Sequence, residues 1–144
     1  MTAPRTTSVV GYVIVEASYL DTLKLQNDKG GAACANAPAV SSVKPGGQVV
    51  VKDASGTSVD VLALETGYAQ FPMGHTDASP ANELACVYAF RGSKVKVPTD
   101  MVSFELTGYP SIAVKVSDAI TTLRPQIKVG NVRGDWSDYR MKGD

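Results

Sequence analysis

Apolar positions along this chain gather in short β-branched clusters, and no stretch repeats them at a helical spacing of 3.6. Val9–Glu16 is almost continuously apolar, and Gln48–Lys52, Ser58–Leu64, Leu84–Phe90, Val102–Leu106, Ile112–Val116 and Gln126–Val129 follow as further strand candidates. Leu23 and Leu25 suggest one more short strand, and Val95 and Val97 alternate with Lys94 and Lys96 until Pro98, which cannot donate to a ladder. Gly, Pro, Asn and Asp punctuate these runs.

The clearest local unit is a hairpin. Gln48–Lys52 and Ser58–Leu64 are joined through Asp53-Ala54-Ser55-Gly56, with Gly at the last turn position. In the second strand Val59, Val61 and Ala63 alternate with Asp60, Leu62 and Leu64, so the pleat predicts the purely apolar set inward and the mixed set outward. Lys44-Pro45-Gly46-Gly47 and Thr107-Gly108-Tyr109-Pro110 are turns, whereas 26–42 and 67–82 are long loops. Ser117-Asp118 can cap one short helical turn reaching Leu123, which Pro125 would stop. About eight short strands with frequent turn signals predict an all-β fold, an immunoglobulin-like Greek-key β-sandwich, with an open barrel as the alternative. The expected organisation is an N-terminal arm over 1–8, a β-sandwich domain over 9–130 and a polar C-terminal tail over 131–144.

Composition narrows the partners. The 144 residues suffice for one domain with its own core, and the formal net charge is zero. Neutrality argues against nucleic acid or an anionic membrane surface as the main partner, and it leaves self-assembly unopposed. The polar start carries no secretion-signal pattern, and Val9–Val15 is too short to span a bilayer. Either the chain is a mature fragment, or it reaches the outside by another route, as a virus particle does on lysis.

Two cysteines are present. Cys34 lies in the Gly/Ala/Pro-rich loop Gly30-Gly31-Ala32-Ala33-Cys34-Ala35-Asn36-Ala37-Pro38, and Cys86 lies in the strand candidate Leu84–Phe90. A bridge between them would pin the loop to the strand and close a loop of roughly 50 residues, which in chain-entropy terms stabilises by about 4 kcal/mol. It would also place the protein in an oxidising compartment.

Catalytic and metal chemistry find little to build on. The one histidine, His75, sits in a loop, Pro72-Met73-Gly74-His75-Thr76-Asp77, and is expected to be a solvated loop residue. One histidine and two cysteines make no zinc set of ordinary spacing. The carboxylates fall mostly singly at turns, as at Asp53 and Asp77, and Asn27-Asp28 lacks the EF-hand pattern. Gly30-Gly31 and Gly46-Gly47 fit neither phosphate-binding fingerprint. No catalytic residue, metal or cofactor is therefore expected. The tail contains Arg133-Gly134-Asp135, a tripeptide known from adhesion ligands, here expected to be a chance occurrence. Trp136, Tyr139 and Met141 beside it are apolar anchors of the kind that dominate interfaces, so the tail is expected to dock on a partner protein.

The middle of the chain resembles small extracytoplasmic, disulfide-bearing β-domains of actinobacterial secreted proteins and lipoproteins. The resemblance is carried by Gly30-Gly31-Ala32-Ala33-Cys34, by Val43-Lys44-Pro45-Gly46-Gly47-Gln48 running on to Gly56, by Cys86-Val87-Tyr88-Ala89-Phe90, by Val97-Pro98 and by Ser103-Phe104-Glu105-Leu106. It spans roughly residues 9–130 and implies a secreted β-domain with one disulfide and no assigned reaction. The chain shows no lipobox or membrane anchor of that pattern. Together these readings lead to an expectation: a non-enzymatic module working through protein–protein contacts outside the cell, made by an edge strand, the 67–82 loop or the tail. It would serve on a virion surface, as a capsid-decoration or tail accessory protein of an actinobacterial phage, or in the cell envelope. The alternative is a glycan- or lipid-binding domain.

Overall fold

In the computed structural model of the chain, residues 5–16, 43–70, 85–117, 121–132, 134–137, 139–141 and 144 are described. The expectations on Leu23, Leu25, Cys34, His75, Asp77 and Asn27-Asp28 fall outside them.

The β-branched clusters become eight strands: β1 (Thr6–Glu16), β2 (Gln48–Lys52), β3 (Ser58–Gln70), β4 (Ala85–Lys96), β5 (Met101–Leu106), β6 (Ile112–Lys115), β7 (Thr122–Leu123) and β8 (Gln126–Val129). They join in the order β6-β5-β2-β3-β4-β1-β7, with β8 also on β1, as one mixed sheet curled nearly into a barrel. β1 is antiparallel to β4 and parallel to both β7 and β8. β3 belongs to two ladders. Its first half pairs with β2, and its second half pairs with β4 after an irregularity between Leu64 and Gly67. One extra residue there re-aims the strand, as β-bulges do at sheet corners.

Three expectations need correction. The long loop begins later than the sequence suggests, because Gly67, Tyr68, Ala69 and Gln70 continue β3 along β4. The capped turn before Pro125 is not helical at its described end. Thr122 and Leu123 form β7 beside Ser8 and Val9, which places Leu123, 1% exposed, in the core. A single helical turn has too few hydrogen bonds to compete with that burial. Finally, the faces of β3 are reversed. Leu62 and Leu64 point inward, and Val61 is 48% exposed. Leu62 lies in a buried row with Val49 and Leu106, and a one-residue slip would exchange two buried leucines for a valine and an alanine.

The inner core joins Val9, Val13 and Val15 of β1 to Tyr88 and Phe90 of β4 and to Val49, Val51, Phe104 and Leu106 across the barrel. Space for the aromatic rings comes from cross-strand glycines. Phe90 pairs with Gly11 and Tyr88 with Gly67, and a Cβ at either glycine would stand 2.3 Å and 2.5 Å from the facing ring. These glycines therefore do packing work, each letting a ring lie flat on its neighbour's backbone.

Candidate functional site: a strapped face and a bare face

β1 and β4 are apolar on both faces. Inward they present valines and aromatics; outward β1 presents Val10, Tyr12 and Ile14, and β4 presents the small Ala85, Val87 and Ala89. A strand with two apolar faces must be covered twice. The second cover is the chain's own C-terminal segment. Trp136 and Tyr139, 1% and 5% exposed, lie in the shallow trough above Val87, Ala89 and Ile14, with Val132 and Met141 packed alongside. Small outward residues on β4 leave room for large rings. Trp136 meets Tyr139 edge to face at 4.9 Å, and Tyr139 meets Tyr12 in the same way at 5.4 Å.

Polar contacts fix this strap. Gln126 Nε2 donates to the Trp136 carbonyl at 2.6 Å, and the Tyr139 hydroxyl donates to Gln70 Oε1 at 2.7 Å. The Met141 amide donates to the Tyr12 hydroxyl at 3.0 Å, and that hydroxyl donates in turn to the Asp144 carboxylate. Arg91 of β4 clasps the same carboxylate from Nε at 3.1 Å and Nη2 at 2.7 Å, while its Nη1 pairs with Glu65 of β3. Arg124 Nη2 donates to the Asp144 main-chain oxygen at 3.1 Å. Burial pushes the Asp144 carboxyl up, but the hydrogen bonds from Arg91 and Tyr12 and the charges of Arg91 and Arg124 more than offset it, so it titrates below the ordinary carboxylate value. Burial pushes the Tyr139 phenol well above its usual value.

The sequence-predicted anchors Trp136, Tyr139 and Met141 are thus brought together, on this chain's own strands. Tyr12, Arg91, Asp144, Gln70 and Arg124 complete the site and were not singled out by sequence. The signal that could have found the covering layer is the lack of alternation in Val9–Val15. The Arg-Gly-Asp tripeptide acquires a local role at its last residue. Asp135 accepts from the Ser137 amide at 3.0 Å and hydroxyl at 2.6 Å, which holds its carboxyl below the usual range. Its carboxylate is therefore a turn cap.

Cys86 is fully buried on the inner face of β4, beside Tyr88 and Gly67, and is not a free thiol. Its expected partner, Cys34, lies outside the described residues.

The opposite wall, made by β2, β5, β6 and the first half of β3, has no second layer among the described residues. Its outward positions alternate in chemistry. Val61 and Met101 are exposed near Gln48, Lys52 and Lys115, and Lys52 pairs with Glu105 at 2.6 Å. β6 is the outermost strand on this side. A separate surface pocket of about 380 Å³ opens where β1 begins, lined by Arg5, Thr7, Ser8, Ser93, Ser117 and Thr121 among others. Its hydroxyls and single guanidinium suit an oxygen-rich, water-soluble ligand. The described residues contain no cluster of three metal-ligating side chains and no helix long and apolar enough to cross a membrane. No family model, curated protein or solved structure matches the chain.

Proposed function

We propose that this chain is a non-enzymatic structural or binding module that works through protein–protein contacts outside the cell. Its setting is either the surface of an actinobacterial phage particle, as a capsid-decoration or tail accessory protein, or the cell envelope. The observation that carries this reading is the bare wall. It is a mixed polar and apolar sheet face carrying Val61 and Met101 in the open, bounded by the short edge strand β6. β6 also offers main-chain groups to an incoming strand. In finer detail we read the curled sheet as an immunoglobulin-like Greek-key sandwich, because β3 and its bulge divide the ladders into two walls. A Cys34–Cys86 bridge belongs to this reading, as a staple between the 26–42 loop and β4 in an oxidising compartment.

The test is the non-reducing mass of the protein from its native source, together with its native-state size. A chain in a large assembly supports the virion setting. A monomer two hydrogens lighter than the reduced chain, with a processed or lipidated N-terminus, supports the envelope. A fully reduced, unprocessed monomer with no partner overturns both. Val61→Lys should abolish assembly without lowering stability if the bare wall is the contact.

The hydroxyl-lined pocket favours a second reading, an extracellular glycan-binding domain, over a lipid carrier. Titration with cell-wall glycan fragments, monitored at Arg5 and Ser93 by NMR, would show saturable shifts on that reading and none on the first.

A further inference from the structure

No described strap residue joins a strand ladder. Among the described residues, the strap's main-chain ties to the barrel run through the side chains of Tyr12, Gln126 and Arg124. Among these residues its departure breaks no rung of the sheet. The strip it would uncover, Tyr12, Ile14, Val87 and Ala89, is apolar and continuous, so an open strap is driven to be replaced.

The connection to β8 is also particular. Gly130 and Gly134 are exposed and both adopt positive φ, 80° and 88°, where the chain turns back over the sheet. An extended connection would not require that left-handed backbone. The trough takes two rings at the spacing of Trp136 and Tyr139 and then a carboxylate for Arg91. A second copy of the chain supplies all of it, and zero net charge does not oppose the approach. We propose that the C-terminal strap exchanges between two copies of this protein, each strap filling the trough of the other, with the positive-φ turns at Gly130 and Gly134 as the hinge. Strap exchange forms a closed two-fold pair from contacts the monomer already makes. It uses the strapped face and is independent of contact through the bare wall.

The experiment mixes two full-length variants. Arg91→Glu spoils the trough and keeps the strap; Asp144→Arg spoils the strap and keeps the trough. Each alone has a mismatched latch in its monomer and in its own pair, whereas a mixed pair has both latches matched. After equimolar mixing, light scattering should find a species of twice the 15.1 kDa chain mass, absent from either variant alone. The double variant in one chain should return Trp136 fluorescence to its buried state. A mixture that stays at the single-chain mass while the double variant restores burial overturns the exchange and leaves only a closed strap. If either variant does not fold, Gly134→Ala in the otherwise natural chain decides. Strain in the closed hinge should raise the dimer association constant at least about tenfold, and an unchanged constant overturns the proposal. Val61→Lys should leave the exchange unaffected.

Discussion

The two walls of this barrel are built from similar residues and solve different problems. On the strapped wall, β1 and β4 are apolar on both faces, and the outer face is sealed by Trp136 and Tyr139. On the bare wall, β2 and β5 alternate, burying Val49, Val51, Val102, Phe104 and Leu106 while turning Gln48, Lys52, Ser103 and Glu105 outward. The first wall derives stability from being a middle layer and gives up its outer surface. Among the described residues the second has no outer layer and leaves Val61 and Met101 exposed. Stability and availability are thus divided between two parts of one sheet that meet at the β3 bulge.

Substitutions can break that division. The largest effect is expected from Trp136→Ala, which should cost about 3–5 kcal/mol in urea unfolding, as large aromatic truncations in packed sites do. Val61→Ala on the bare wall should fall within about 0.5 kcal/mol. Equal effects would erase the distinction between the walls. Asp144→Asn removes the ionised end of the latch and should cost roughly 1.5–3 kcal/mol. Because the folded-state value of Asp144 is depressed, its contribution is present above the unfolded carboxylate value and is lost as pH falls through the folded value. The natural chain should therefore lose stability in acid, below about pH 4, more steeply than the Asn variant; parallel curves would show the latch to be idle. Gly67→Ala should destabilise by about 1–3 kcal/mol, because a Cβ meets the Tyr88 ring with the Cys86 sulfur beside it. Glu105→Gln, which removes the half-exposed partner of Lys52, should cost only about 0.2–1 kcal/mol, and less in high salt.

Strand identity was legible in the sequence because β-branched clusters and turn residues are local signals. β2, its turn and the start of β3 follow from Gln48–Leu64 alone. The faces of β3 were not legible, since Val61 and Leu62 are both apolar and only the buried row with Val49 and Leu106 decides between them. β7 was missed because Leu123 gains its strand conformation from Val9, more than a hundred residues away. The anchors Trp136, Tyr139 and Met141 were visible as a cluster, but the surface they dock on was not. That surface requires knowing that β1 and β4 are neighbours, so that Ile14 and Val87 share a face with Tyr12 and Ala89. Arg91 and Asp144 carry no local mark of their pairing at all.

The parallel pairing of β1 with β8 has a consequence for biosynthesis. Val13 lies beside Ile127, so β1 waits during synthesis for a strand made about 110 residues later. At roughly 5–20 residues per second that wait is on the order of 5–20 s. Through that interval the doubly apolar β1 has at most β4 on one edge, and neither β8 on the other nor the strap above, so holdase chaperones should crosslink to Val9–Val15.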